Sequence, residues 1–184
     1  IGMKESDINE AIKNSGIPLD GLEWGMTAKE GITSLTFVDK GGGVDFNYIT
    51  TRIGRVFPDQ ILDPGWNRPE EEVIDLLRRS GLTVAIAESC TGGLVTKRIT
   101  DISGSSDVFT GGIVAYSNGV KMSQLGVFEN TISTYGAVSS ETAAEMASGV
   151  RTALKSSIGF STTGIAGPGG GSESKPVGTV WFGL

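Results

Sequence analysis

One strip constrains this chain more than any other. Thr83-Val84-Ala85-Ile86-Ala87 is apolar and rich in β-branched residues, and it runs into Glu88-Ser89-Cys90-Thr91-Gly92-Gly93 and then an apolar periodic segment. That order reads as a buried strand over 83–87, a tight turn, and a helix over 91–102. Ser89 falls where a helix begins, a place of unpaired N–H groups and positive dipole. A hydroxyl there can be a nucleophile, with the following amides as an oxyanion hole. It can equally be a helix cap, since serine is a favoured N-cap residue.

The same alternation continues on both sides of the strip. Pro69-Glu70-Glu71-Glu72 opens a helix, with Val73, Leu76 and Leu77 as its buried stripe and Gly81 as its stop. After the loop Ser103-Gly104-Ser105-Ser106 come a strand over 111–117, a short helix over 118–125, and a long Ala-rich helix to Leu154 that starts at Ser139-Ser140-Glu141-Thr142. A strand over 158–163, a Gly-Pro-rich loop over 164–178 and a last strand over 177–184 follow. The expected fold is α/β: a three-layer α/β/α domain at 67–184 with a mostly parallel sheet. Residues 1–66 read as a small α+β unit that precedes it. There, a helix over 6–12 with Ser6 as N-cap and a strand over 31–38 are expected. Residues 44–56 fit a strand or a helix equally, and Asp63-Pro64-Gly65 marks the boundary. The first residue is not Met, so a piece of a longer protein is expected.

Composition then narrows the chemistry. The 184 residues contain no histidine and one cysteine. Ser-His-Asp and Cys-His catalysis are therefore excluded, as are histidine and multi-thiolate metal sites. No paired-aspartate motif suggests carboxylate-bound Mg²⁺, so neither metal nor cofactor is expected. Any acid–base group working near neutral pH must be Lys, Asp, Glu or Tyr. A single cysteine and no signal-peptide pattern fit a cytoplasmic protein, and no apolar run approaches the roughly 20 residues of a membrane span. The net charge of −6 counts against nucleic acid as a partner.

Ligands of such sheets bind at the carboxyl ends of the strands. Three polar clusters fall there: residues 88–93, then Tyr116-Ser117-Asn118 with Lys121, then Thr162-Thr163-Gly164-Ile165-Ala166-Gly167-Pro168. Lys121 lies one helical turn beyond Ser117, and its bland reading is a solvated surface lysine. An ordinary lysine leaves roughly one molecule in 2,500 neutral at pH 7, and lowering its pKa to about 7 costs about 4–5 kcal/mol, which burial can impose. A Ser89–Lys121 dyad is the nucleophile–base pair this histidine-free sequence offers most easily. Glu88 is a second candidate base, or it fixes loop amides or pairs with Lys121. Cys90 is a rival nucleophile or an inert buried thiol. Ser105 and Ser106 are phosphate donors or caps, and Tyr116 is a packing residue or a stacking platform. The 164–178 loop is a flexible connection or a lid whose glycine amides close over a phosphate.

At these residues the chain resembles the competence/damage-inducible CinA family. The resemblance rests on residues 87–93, Gly104-Ser105-Ser106, Tyr116-Ser117-Asn118 with Lys121, Gly136-Ala137-Val138-Ser139, residues 163–168 and Lys175-Pro176-Val177-Gly178-Thr179-Val180. It covers about 69–184 and corresponds to the family's carboxyl-terminal domain. It implies deamidation of nicotinamide mononucleotide to nicotinic acid mononucleotide and ammonia, with Ser89 as nucleophile and Lys121 as its partner. Thr91, Gly92 and Gly93 are then expected as oxyanion or phosphate donors. Glu88, Ser105, Ser106, Tyr116, Asn118, Thr163 and Gly164 are expected to contact substrate, and the protein is expected to be a homo-oligomer. Residues 1–6 resemble the start of the small, KH-like middle domain of longer members. Those members also carry a metal-dependent pyrophosphatase domain that is not in this sequence. The family's domain runs on past Leu184 through a strand and a helix bearing a substrate-binding arginine, so a truncated domain is expected. The rival readings are a non-catalytic nucleotide-binding or interaction domain, and a nucleic-acid module at 1–66 that the acidic balance disfavours.

Overall fold

A computed structural model describes residues 2–29, 31–62 and 68–184. The chain divides into two compact units, Ile1–Asn67 and Arg68–Leu184. In the first, helix α1 (Glu5–Asn14) is followed by the antiparallel hairpin β1 (Leu22–Lys29) and β2 (Ile32–Asp39), then by helix α2 (Phe46–Val56). Ser6 lies inside α1 rather than capping it: Lys4 is the N-cap, and the Ser6 hydroxyl donates to the Asp7 carboxylate at 3.0 Å. Residues 46–56 are helical because the Asp45 carboxylate accepts the Asn47 and Tyr48 N–H groups, a cap that decides what periodicity leaves open. Ile8, Ile12 and Phe57 form the buried core, with Trp24 and Phe37 stacked beside it. The turn at Asp63-Pro64-Gly65 lies outside the described residues.

In the second unit, helix α3 (Pro69–Ser80) leads to β3 (Val84–Glu88), helix α4 (Leu94–Thr100) and β4 (Phe109–Val114). Helices α5 (Asn118–Leu125), α6 (Glu129–Tyr135) and α7 (Ser140–Leu154) come next, then β5 (Ile158–Gly164) and β6 (Val180–Gly183). The strand order is β4-β3-β5-β6. The first three strands run parallel and β6 lies antiparallel at the edge. Strand β3 is buried along its whole length, and its side chains alternate between the two faces. Val84 and Ile86 pack with Ile74, Leu77 and Ile99 of α3 and α4, whereas Ala85 and Ala87 pack with Leu125, Met146 and Val150 of α5 and α7. This is the expected three-layer arrangement.

The buried face of α3 differs from the expected stripe. Glu70, Ile74 and Leu77 point inward, while Val73 and Leu76 are exposed. The row at i, i+4 and i+7 takes the core because Glu70 ion-pairs with Arg98 of α4, so a polar residue holds a buried position. Helix α4 is shorter than expected, since residues 89–93 form turns with Gly92 and Gly93 in the left-handed region. Helix α7 sits very close to the sheet: a Cβ built on Gly159 would lie 2.0 Å from the Ala147 carbonyl oxygen. Among the described residues, no helix is long and apolar enough to cross a membrane.

Candidate active site

The parallel register brings the three polar clusters together. Glu88 of β3 pairs with Val114 of β4 on one side and Thr162 of β5 on the other, so residues 89–91, 115–118 and 163–167 emerge at one end of the sheet. They border an open cleft of about 360 Å³ lined by Ser89, Cys90, Tyr116, Asn118, Lys121 and Thr163. Gly164 and the glycines at 167, 169 and 170 complete one wall, and Ala137 and Val138 another.

Lys121 lies in the first turns of α5, whose N-cap Ser117 accepts the Val120 N–H. This places the lysine side chain under the sheet end rather than in solvent; it is 1% exposed. Its Nζ donates to the Ala115 carbonyl at 2.7 Å and the Tyr116 carbonyl at 3.3 Å, and it lies 2.9 Å from the Ser89 Oγ. No carboxylate is paired with it among the described residues, and burial lowers its pKa, with only Cys90 acting in the opposite direction. A neutral amine has two N–H groups and one lone pair. Two carbonyls satisfy the donors, which leaves the lone pair for the serine hydroxyl. Burial raises the pKa of the neighbouring Cys90, which keeps it a thiol.

Glu88 is not on the cleft wall. It is completely buried, and its carboxylate accepts the N–H groups of Gly93 and Val95, each at 3.0 Å, and of Thr96 at 2.7 Å. Burial alone would raise its pKa. Hydrogen bonds from the Thr91 and Thr96 hydroxyls and from the amides outweigh that and lower it, so the group stays ionised. It therefore contacts neither substrate space nor Lys121. The start of α4 is filled by this internal anion, which corrects the expectation for Gly93 as a free donor. The Gly92 N–H is also used, by the Ser89 carbonyl at 3.2 Å. The Cys90 N–H lies against its own thiol, and neither it nor the Thr91 N–H reaches a backbone carbonyl among the described residues; of the two only Cys90 lines the cleft. The amide directly after a nucleophile is a known oxyanion donor, and that rule is the signal that points to Cys90.

The remaining expected residues divide by position. Tyr116 stands at the rim, 78% exposed, as a platform rather than a packing residue. Asn118 lines the cleft, and Thr163 does too while its hydroxyl donates to the Ala137 carbonyl at 2.7 Å. Ser105 and Ser106 do not line it. They precede β4 in a short 3₁₀ turn, at the start of the strand rather than its carboxyl end. Sequence reading marks Ala137, Val138 and Lys175 as parts of family blocks but gives them no place at the site; Lys175 anchors that wall, its Nζ donating to the Tyr135 carbonyl at 2.6 Å and the Val138 carbonyl at 2.7 Å. Small apolar wall residues carry no chemical signature, so their role at the cleft shows only in three dimensions.

Comparison with known proteins agrees with this architecture. Residues 67–184 match the family described as CinA C-terminal domain. A CinA-like protein of Kosmotoga olearia is 43% identical across 100% of this chain, which spans 46% of that relative. A CinA-like protein of Leptospira interrogans is 40% identical over 99% of this chain and 43% of its own length. The chain thus spans less than half the length of these curated relatives. Among solved structures, a CinA superfamily protein of Escherichia coli superposes with a TM-score of 0.62 at 31% identity, over 67% of this chain and 72% of that one. A competence/damage-inducible protein of Agrobacterium tumefaciens gives 0.56 at 48% identity, over 60% and 67%. With the family's domain matched from residue 67 to residue 184, the chain belongs to the CinA family.

Proposed function

We propose that the Arg68–Leu184 unit is an amidohydrolase that converts nicotinamide mononucleotide to nicotinic acid mononucleotide and ammonia, with Ser89 as nucleophile and Lys121 as general base. The observation that carries this reading is the buried, carboxylate-free Lys121 amine 2.9 Å from the Ser89 hydroxyl at the edge of an open cleft. An unused lysine has no reason to be buried there, since desolvation without a counter-charge is costly. The substrate itself is taken from the family resemblance.

Ser89 Oγ attacks the carboxamide carbon as Lys121 takes its proton, and the Cys90 N–H receives the developing oxyanion. Lys121 returns the proton to the leaving nitrogen, so ammonia departs and an acyl ester remains on Ser89. Water, deprotonated by the same amine, then cleaves the ester to the free acid and restores the serine. The exposed Tyr116 ring offers a face to the cationic pyridinium, and the glycine amides at 167–170 offer donors to the phosphate. We assign the amino-terminal unit to the middle domain of longer family members, because the alignment with the Kosmotoga olearia relative covers it as well.

The test is ammonia release from nicotinamide mononucleotide by this chain and by Ser89→Ala. Release by the parent that is abolished in the variant supports the proposal. Saturable nucleotide binding without release makes the domain a binding module instead.

A further inference from the structure

Glu88 is a fully buried carboxylate with no role in the proton transfers above. Its three amide donors lie on the far side of the nucleophile turn from Lys121, at Gly93, Val95 and Thr96. In the turn between them, residues 89–92, the Gly92 N–H donates to the Ser89 carbonyl. A second brace reaches it from β5: the Thr91 and Thr162 hydroxyl oxygens are 2.7 Å apart. The Thr162 carbonyl also accepts the Ser89 N–H at 3.0 Å, so β5 holds the turn at its first and third residues. The turn is therefore held by Thr162 on the β5 side and, through the amides that follow it, by Glu88 on the other.

We propose that Glu88 and Thr162 are positioning residues that clamp the 89–92 turn from its two ends, and so hold the Ser89 hydroxyl against Lys121. The inference rests on the Ser-Lys reading above. In Glu88→Gln the amide nitrogen faces N–H donors, so the turn relaxes. Thr162→Val keeps the shape of the side chain but removes the hydroxyl that meets Thr91. Neither residue touches the cleft, so binding is spared while the reacting geometry is lost.

The test compares kcat per active site, KM for nicotinamide mononucleotide, and the labelling rate of Ser89 by a fluorophosphonate, which forms an oxygen–phosphorus bond and expels fluoride. The control is Ser161→Ala, which breaks the neighbouring buried hydroxyl bond to the Ala143 carbonyl on the opposite face of the sheet. Thr162→Val is expected to lower kcat and labelling about tenfold, and Glu88→Gln about 100-fold, with KM within about threefold and an unchanged pH limb. Ser161→Ala should lower the melting temperature alone. Parent-like kcat and labelling in Thr162→Val, or losses in Ser161→Ala that equal those in Thr162→Val, would overturn the clamp. A parent chain that is labelled at Ser89 but releases no ammonia would fail the substrate reading alone, and the labelling rates would still decide the clamp. If Glu88→Gln does not fold, the rates of Thr162→Val decide the matter by themselves.

Discussion

Beneath its cleft the Arg68–Leu184 unit buries Glu88, Ser89, Lys121, Ser161, Thr162 and Thr163, whereas the amino-terminal unit buries Ser15 as its one polar residue among those described. In the latter, Ser15 completes a local turn by donating to the Ile12 carbonyl and accepting the Ile17 N–H, and the rest of the core is apolar. Burying polar groups costs free energy unless every bond is made, and burying an amine without a counter-ion costs more. Of this set Ser89, Lys121 and Thr163 line the cleft, whereas Ser161 is satisfied by the Ala143 carbonyl on the other face of the sheet. The contrast locates the proposed reaction in one unit and leaves the other as a module held by ordinary packing.

Four substitutions can break or sharpen that contrast. Ser89→Ala should lower turnover by about 10³–10⁵-fold with the fold intact, as measured by ammonia release and circular dichroism. Lys121→Arg keeps the charge but cannot serve as a base at neutral pH, so turnover should fall by about 10²–10⁴-fold. A near-parent rate in that variant would reduce the lysine to a source of charge. In the amino-terminal unit, Ile12→Ala should destabilise by about 2–4 kcal/mol through its cavity, seen as a denaturant midpoint shift of that unit, with kcat of the folded protein unchanged. The smallest effect belongs to Cys90→Ala, expected within about threefold of the parent rate, because the thiol is held protonated while its backbone N–H survives the substitution.

The pH dependence follows from the same burial. Lys121 has its folded pKa below the ordinary value of 10.5. Between those two pKa values the unfolded chain binds the extra proton, so stability is lost as pH falls through the window and regained as it rises. Relative to Lys121→Met, the parent should therefore gain stability on moving up through that range, and kcat/KM should rise with pH through the lowered pKa. Glu88 has its pKa below 4.5, so its contribution is complete above that value and is lost as pH drops through the folded pKa. A titration of stability against pH in parent and Lys121→Met checks the first sign directly.

The strand–turn–helix strip and the strand-end clusters are legible because buried strands, glycine turns and serine caps leave local signatures. Ser139 capping α7 through the Thr142 N–H is one such case, and Gly81 ending α3 in the left-handed region is another. Helix α6 is hidden from sequence reading, since Glu-Asn-Thr-Ile-Ser-Thr-Tyr is rich in residues with poor helix propensity; it forms because Glu145 of α7 accepts the Phe128 N–H and the Thr131 hydroxyl. Strand β1 escapes notice although Leu22, Trp24 and Met26 alternate, because Gly25 and the flanking charges weaken the pattern. The Glu88 carboxylate is expected at the substrate because sequence gives no direction to a side chain. Whether a carboxylate faces a cleft or the start of the next helix is settled by a single turn in three dimensions.

The most direct test of the central claim is to quench the chain during turnover of nicotinamide mononucleotide and locate the acyl group by peptide mass spectrometry. The account predicts an ester on Ser89 that accumulates when deacylation is slowed at low pH and is absent in Ser89→Ala. A thioester on Cys90, or full turnover by Ser89→Ala with no adduct, would contradict it.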